Sequence, residues 1–166
     1  MGDRRTEFAT FYAVHAESVR RALGLALRDE HLAEEATQEA FTRAYVSWRR
    51  VRVMDRPATW VYVVALHVAY RRRGRGGAEP APTGPEAIDV AEAVATRESV
   101  RAAIARLPER QRTAIVLRYL IDLPLSDIAT AMGCAVGTVK STLHSAVLRL
   151  GVELEYDNEE IQDARG

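Results

Sequence analysis

The chain of 166 residues lacks several features on which whole classes of protein depend. It has a single cysteine, Cys134, so no disulfide can form within it, as is usual in a reducing cytoplasm. No apolar run approaches the ~20 residues that a membrane-spanning helix requires, and the first residues lack the apolar core of a signal peptide. There is no glycine-rich phosphate loop, no paired Cys or His ligand spacing and no G-x-S-x-G turn. We therefore expect a cytoplasmic protein without membrane insertion, with no cofactor and no enzymatic activity.

The chain also lacks a net charge, since 23 Lys and Arg residues balance 23 Asp and Glu residues. The charges are nevertheless segregated along the chain. Residues 61–77 are basic, residues 78–98 are acidic, residues 99–150 are basic again and the tail from residue 151 is acidic. Two basic segments separated by an acidic one favour binding to a polyanion at two points, although ordinary solvated surface charge is the simpler alternative.

What the chain does have is helical periodicity, and no segment alternates as a strand would. In the first half, apolar spacing predicts helices over residues 7–27 and 32–48. A loop then follows through Arg52 to Asp55, and Pro57 suits the first turn of a third helix that extends to about Arg73. One face of the first helix is expected to carry Phe8, Phe11, Tyr12, His15 and Val19, and the second helix is expected to bury Ala36, Ala40, Phe41 and Tyr45.

Glycine, proline and acids then dominate the sequence up to residue 90, and this composition predicts a linker. Helical patterning resumes from Ala91 to Arg106, and Pro108 begins another helix. The sequence thus predicts an all-α fold of two small helical domains joined by a flexible linker. The expected boundaries are 1–75 for the first domain, 76–91 for the linker, 92–150 for the second domain and 151–166 for an acidic tail, for which disorder is one interpretation.

The segment from Ser126 to Leu150 reads as two helices that meet at Gly133, with Ser126 as the N-cap of the first. The second helix has an apolar stripe and, behind it, a polar face with a cation and no anion. Such a face is typical of a recognition helix in the DNA major groove, and an ordinary helical hairpin is the alternative. The stripe comprises Val139, Leu143, Ala146, Val147 and Leu150, and the polar face comprises Thr138, Lys140, Ser141, Thr142, His144 and Ser145.

Two further faces stand out in the first half. The helix around Glu35, Gln38 and Glu39 has an acidic and amide-bearing face, which fits a solvated surface, a protein-docking surface or, with His31, a metal site. The third helix mixes aromatic and basic residues, which is what holding single-stranded nucleic acid requires, although the aromatic residues also suit a core. Its candidates are Trp60, Tyr62, His67, Tyr70, Arg71, Arg72, Arg73 and Arg75.

Three blocks of sequence resemble the extracytoplasmic-function group of bacterial RNA polymerase sigma factors. AEEATQEAF (residues 33–41) is similar to A-E-D-x-x-Q-E-x-F, and ATWVYVVALHVAYRRR (residues 58–73) is similar to W-L-Y-x-I-A-x-N followed by basic residues. Residues 107–146 contain LPERQR and GTVKS, which resemble the C-terminal domain of the family. The blocks lie in the right order and spacing over residues 7–150.

This resemblance implies partners and site residues. It implies that the chain binds core RNA polymerase, at the β′ clamp helices and the β flap, and promoter DNA, and that an anti-sigma factor is a possible regulator. Glu35, Gln38 and Glu39 would dock on the clamp helices. The loop from Arg52 to Arg56 and the helix from Trp60 to Tyr70 would melt and read the −10 element. The residues that the resemblance and the charge pattern assign to DNA are Arg52, Arg56, Trp60, His67, Arg71, Arg72, Arg112, Thr138, Lys140, Ser141 and His144.

The chain also departs from the family pattern. His67 replaces an asparagine of the −10 helix, Ala135 stands where a serine cap is frequent, and Thr142 and Ser145 stand where arginine is frequent. Fewer cations weaken phosphate binding, so we expect the recognition helix to depend on the polymerase. The alternative functions are a stand-alone helix-turn-helix regulator, which would dimerise on a palindromic site, and a helical metalloenzyme.

Overall fold

The computed structural model describes the backbone of residues 3–76 and 92–163, and the side chains of residues 3–74 and 97–151. Within these ranges every regular element is a helix, and there is no strand. It divides into two compact units, Met1–Ala81 and Pro82–Gly166. The all-α prediction, with two small helical domains, is therefore confirmed. No helix in these ranges is both long enough and apolar enough to cross a membrane.

The first unit is built from three long helices and one short one. Helix α1 (Arg4–Leu27) is followed by Arg28, whose backbone is left-handed (φ 52°) and whose N–H donates to the Gly24 carbonyl. Asp29 then caps α2, because its carboxylate accepts a hydrogen bond of 2.9 Å from the Leu32 N–H. The four helices are α1 (Arg4–Leu27), α2 (Glu30–Val46), α3 (Trp48–Val51) and α4 (Pro57–Gly76).

The boundaries in this unit differ from the prediction at several points. The second helix ends at Val46, and Trp48 begins a separate short helix, α3, which the apolar spacing had merged with it. The third long helix starts at Pro57 as predicted, but it continues past Gly74 to Gly76. Residues 77–91, where the linker is expected, lie outside the described residues.

Aromatic rings join α1, α2 and α3. The Phe8 ring lies edge-on to Trp48 at 5.2 Å and to Tyr45 at 4.9 Å between centroids. Phe41 and Trp48 are buried, but Tyr45 is 41% exposed, so its prediction as a buried residue was wrong, and Tyr12 is 44% exposed. The Arg4 guanidinium covers part of this surface, because it stacks 5.0 Å over the Tyr45 ring and donates to the Tyr45 and Val46 carbonyls at the end of α2.

The second unit begins with α5 (Glu92–Arg106) and α6 (Glu109–Ile115), separated by Leu107 and Pro108. A π-helical turn, Val116–Leu120, continues α6, and the Arg118 guanidinium then donates to the Leu123 carbonyl at 2.9 Å. The chain leaves this turn through Asp122, whose φ is 59°. Helices α7 (Leu125–Met132) and α8 (Val136–Asp163) complete the unit.

Two predictions for the second unit need correction. Helix α7 begins at Leu125 after Pro124, so Ser126 lies inside the first turn and is not the N-cap. Its carbonyl accepts a hydrogen bond of 3.1 Å from the Thr130 hydroxyl, as a residue within a helix does. Helix α8 does not end near Leu150 either: its backbone continues through the acidic tail to Asp163.

Candidate protein and nucleic-acid interfaces

The acidic face of α2 lies opposite its buried alanines. Ala33, Ala36 and Ala40 are fully buried, which turns Glu35 and Glu39 to the rim of the helix and leaves Gln38 exposed. The Nε2 atom of exposed His31 lies 3.5 Å from Glu35 Oε1. The three residues expected to dock on the polymerase therefore share one accessible surface, which we call the acidic face (Glu35, Gln38 and Glu39).

An arginine of α4 reaches across to this acidic face. Arg72 Nη1 lies 2.8 Å from Glu35 Oε2, and Arg72 Nη2 lies 2.8 Å from Glu39 Oε2. The hydrogen bond from Arg72, followed by that from Arg43, lowers the pKa of Glu39, and the bond to Glu39 in turn raises the pKa of Arg72. The acidic face and the arginine run expected to bind DNA thus meet at Arg72.

The aromatic residues of α4 are divided between the core and the surface. Tyr62 is fully buried, and its hydroxyl has no hydrogen-bond partner within the described residues. Burial raises the pKa of this phenol, with a smaller effect from Tyr70. Of the two interpretations that the sequence left open for Tyr62, a core residue or a nucleobase contact, its burial supports the core. Trp60 and Tyr70 are half-buried, while His67 and Arg71 are exposed.

A shallow groove of about 490 Å³ runs along the exposed side of α4. Its walls combine aromatic, imidazole and guanidinium groups with one aliphatic side chain. Such a lining offers a stacking surface for a base together with cations for the phosphates that flank it. The residues that line the groove are Arg43, Val64, His67, Tyr70 and Arg71.

The loop before α4 carries the two other arginines expected to bind DNA in this unit. Both Arg52 and Arg56 are exposed. Arg52 Nη1 lies 3.6 Å from Glu7 Oε2, an ion pair in which both side chains are more than two-fifths exposed, so the attraction is weak. The Trp60 N–H donates to the Arg56 carbonyl at 3.2 Å, which places this loop directly on the first turn of α4.

In the second unit, α7 and α8 form the expected helix-turn-helix. Gly133 ends α7 in a left-handed conformation (φ 64°), which favours glycine. The Cys134 N–H then donates a hydrogen bond of 3.0 Å to the Ala129 carbonyl. Helix α8 begins at Val136, directly after Ala135. The bend between the two helices therefore lies where the sequence predicts it.

The first turns of α8 present the polar face to solvent. Val139, Leu143 and Ala146 are buried. Val147 is 48% exposed, so its place in the buried stripe was wrong. The residues expected to read DNA are all exposed on one side of the helix; they are Thr138, Lys140, Ser141 and His144.

Arg112 is the predicted site residue that lies inside its unit. The side chain is only 5% exposed, and its Nη1 donates to the Leu107 carbonyl at 2.7 Å across the α5–α6 junction. In the free chain the guanidinium therefore bonds to the backbone, and a phosphate contact would require it to leave this position. The contact of Arg112 with phosphate therefore stays a prediction.

Metal ligation has no geometric basis in the part of the chain that the structure describes. No group of three His, Cys, Asp or Glu side chains in this part lies close enough to hold an ion. His31 and Glu35 form a pair, and the remaining oxygens of the acidic face are turned to Arg43 and Arg72.

Reasoning from sequence missed Arg43 as a site residue. Glu39 and Arg43 stand four positions apart on one helix, a spacing at which ion pairs form, so this contact was readable. The contacts of Arg72 with Glu35 and Glu39 span 37 and 33 residues of sequence and depend on how α2 packs against α4. No local pattern carries that information.

Models of known protein families match both units. The family model "Sigma-70 region 2" matches residues 11–78, and the model "Sigma-70, region 4" matches residues 97–150. The first match covers α2 and α4, and the second covers α7 and the exposed start of α8. The first match therefore includes the acidic face and the groove on α4, and the second includes the exposed polar face of α8.

Relatives of similar length align with most of the chain. The RNA polymerase sigma-H factor of Pseudomonas aeruginosa is 35% identical over 147 residues, which cover 76% of each chain. The RNA polymerase sigma-E factor of Streptomyces coelicolor is 30% identical over 155 residues, which cover 89% of this chain and 86% of the relative. The ECF RNA polymerase sigma factor SigW of Bacillus subtilis is 28% identical over 155 residues, with 82% and 83% covered.

A solved structure shares the fold at lower identity. The sigma factor RpoE of Bartonella quintana, solved with the anti-sigma factor NepR, superposes with a TM-score of 0.66 at 22% identity, covering 91% of this chain and 98% of that one. The order of the two matched regions, the identity to relatives over most of the length and the fold agree with one another. The chain belongs to the extracytoplasmic-function group of the sigma-70 family of RNA polymerase sigma factors.

Proposed function

We propose that this sigma factor docks on core RNA polymerase through the acidic face of α2 and directs it to promoters by reading the −10 element with α4 and the −35 element with α8. The observation that carries the proposal is that each matched sigma-70 region coincides with an exposed, chemically suitable surface. The polymerase performs the chemistry, so this chain contributes binding and is not an enzyme. Its place of action is then the cytoplasm, where the polymerase transcribes.

The groove on α4 supports contact with separated DNA strands. Tyr70 and His67 offer planar surfaces, and Arg43 and Arg71 supply cations at the same groove. Stacking a base on an aromatic side chain contributes about 1–3 kcal/mol and tolerates any base. Sequence preference at −10 would therefore come from side chains such as His67 that can form hydrogen bonds with a base edge.

The start of α8 supports a major-groove contact. Its N-terminal turns are free of acidic side chains, and the exposed face carries short polar groups beside Lys140. Amide groups at a helix N-terminus attract phosphate, and short hydroxyl side chains allow the backbone to approach base edges. Because Lys140 is the single cation among the four residues expected to face DNA, we expect weak binding by this helix alone.

Reconstitution tests the proposal. Purified chain added to core polymerase should yield transcripts from a defined set of promoters, whose start sites are found by sequencing the RNA. The double variant Glu35→Ala with Gln38→Ala should lower polymerase binding about tenfold or more, since both groups lie on the acidic face. Lys140→Ala should lower promoter-specific transcription while polymerase binding stays unchanged.

Glu98→Gln is a suitable control, because Glu98 is exposed in the second unit and belongs to neither surface. The alternative function, a stand-alone helix-turn-helix regulator, predicts the opposite result for the double variant Glu35→Ala with Gln38→Ala. It would bind its DNA site as a dimer without polymerase and would keep that binding after the acidic face is changed.

A regulatory partner is also proposed. The Bartonella quintana factor was solved with an anti-sigma factor, and CnrH was solved with the cytosolic domain of CnrY, superposing on this chain with a TM-score of 0.59. We propose that an anti-sigma factor likewise controls this chain.

A further inference from the structure

The carboxylates of the acidic face are already in contact with cationic groups of the same chain. Both oxygens of Glu39 are occupied, one by Arg43 and the other by Arg72. For Glu35, one oxygen faces Arg72 at 2.8 Å and the other faces His31 at 3.5 Å. A basic surface that approaches this face must therefore share these oxygens or displace their present partners.

Arg72 is the partner best placed to leave. Of the three partners it is the one that contacts both glutamates, so its withdrawal releases one oxygen of Glu35 and one of Glu39 together. Its side chain is 41% exposed, and those of Glu35 and Glu39 are 43% and 32% exposed. Such exposed pairs hold their geometry weakly, because water competes for both charges.

The packing of α2 and α4 does not depend on these ion pairs. Both helices bury small side chains, with Ala36 and Ala40 on α2 and Ala65 and Ala69 on α4 completely inaccessible to solvent. A substitution of Arg72 should consequently leave the acidic face in place while removing its principal internal cation.

We propose that Arg72 is an internal competitor for the acidic face, and that a basic surface of the polymerase has to displace it from Glu35 and Glu39 in order to dock. The inference rests on the proposed function, since it takes the polymerase as the docking partner. Arg72 then weakens docking on the polymerase. Its positive charge alone would instead indicate a favourable contribution, because the protein must also bind DNA.

The experiment measures the dissociation constant of the full chain for core polymerase in the absence of DNA. Arg72→Gln removes two exposed ion pairs from the acidic face, so it should tighten binding by about 2- to 30-fold. The matched control is Arg21→Gln, which also removes one exposed arginine that is ion-paired to a glutamate, Glu17, at 2.7 Å on α1. The control should change binding by less than twofold.

A double-mutant cycle identifies the cause. In the background Glu35→Gln with Glu39→Gln, the gain from Arg72→Gln should disappear, since no carboxylate remains to be released. Equal or weaker binding of folded Arg72→Gln would overturn the inference and leave the proposed function intact. Failure of the wild-type chain to bind would overturn both. If Arg72→Gln does not fold, Arg72→Lys takes its place, because lysine cannot bridge two carboxylates as a guanidinium does and should tighten binding by a smaller factor.

Discussion

Arg110 and Arg112 lie two positions apart on α6 and have opposite environments. Arg110 is exposed, whereas Arg112 is 5% exposed and donates to the Leu107 carbonyl. A hydrogen bond from a charged group to a buried acceptor is stronger than one between neutral groups, and its loss leaves the acceptor unsatisfied. Arg112 thus secures the turn between α5 and α6.

Replacing Arg112 should therefore affect stability before it affects DNA binding. We expect Arg112→Ala to lower the free energy of unfolding of the second unit by about 2 kcal/mol or more. Arg110→Ala, the exposed control, should stay within about 0.5 kcal/mol. Both values come from chemical denaturation. A contrary outcome is unchanged stability together with a salt dependence of promoter binding that falls by about one charge, which is the signature of a lost phosphate contact.

Individual residues also show which parts of the site were predictable. The exposure of Thr138, Lys140, Ser141 and His144 followed from helical periodicity, because their apolar neighbours at Val139 and Leu143 fix the orientation of α8. The burial of Arg112 and Tyr62 was not predictable, since it depends on neighbours from other helices.

At the scale of secondary structure, Gly133 is the residue that ends α7. Its φ of 64° lies in the left-handed region, whereas Gly137 on α8 has no such conformation and nothing within 4 Å of the position of an added Cβ. The two glycines are only four residues apart, so they form a matched pair for testing the helix-turn-helix.

Alanine at these two positions should have opposite effects. Gly133→Ala should destabilise the second unit by about 1–2 kcal/mol, because an alanine in the left-handed region brings its Cβ close to a carbonyl oxygen. Gly137→Ala should be neutral or stabilise it by up to ~1 kcal/mol, since alanine is a better helix former. Thermal unfolding measures both. A stable Gly133→Ala variant would mean that the bend does not require the left-handed backbone.

The presence of a helix was easier to predict than the points at which a helix is interrupted. The starts at Pro57 and after Pro108 were marked by proline, and the bend at Gly133 by glycine. The break before Trp48 and the π-helical turn at Val116–Leu120 carry no such marker. Helical periodicity alone therefore could not locate either of them.

For the whole molecule, the contacts gather within two units, and each has its own core. Leu23 is fully buried in the first unit and Leu117 in the second. The segregation of charge in the sequence had already indicated two separate bodies, because each basic segment lies within one of the two units.

The two cores should respond independently to substitution. Leu23→Ala should lower the stability of the first unit by about 2–5 kcal/mol and leave the second unchanged, and Leu117→Ala should do the reverse. Native-state hydrogen exchange, followed helix by helix, resolves the two effects. Faster exchange in both units after either substitution would show that they unfold as one.

The length of α8 has a consequence for the electrostatics of DNA binding. At 1.5 Å per residue, its 28 residues span about 42 Å, several times the ~12 Å width of the major groove. A helix carries partial positive charge at its N-terminus and partial negative charge at its C-terminus. In a short recognition helix both ends lie near the phosphates, and their effects oppose each other. With α8 in the major groove as proposed, its negative end would lie well beyond the groove and more than a Debye length, about 8 Å at physiological salt, from the duplex, which would then be exposed mainly to the attractive end.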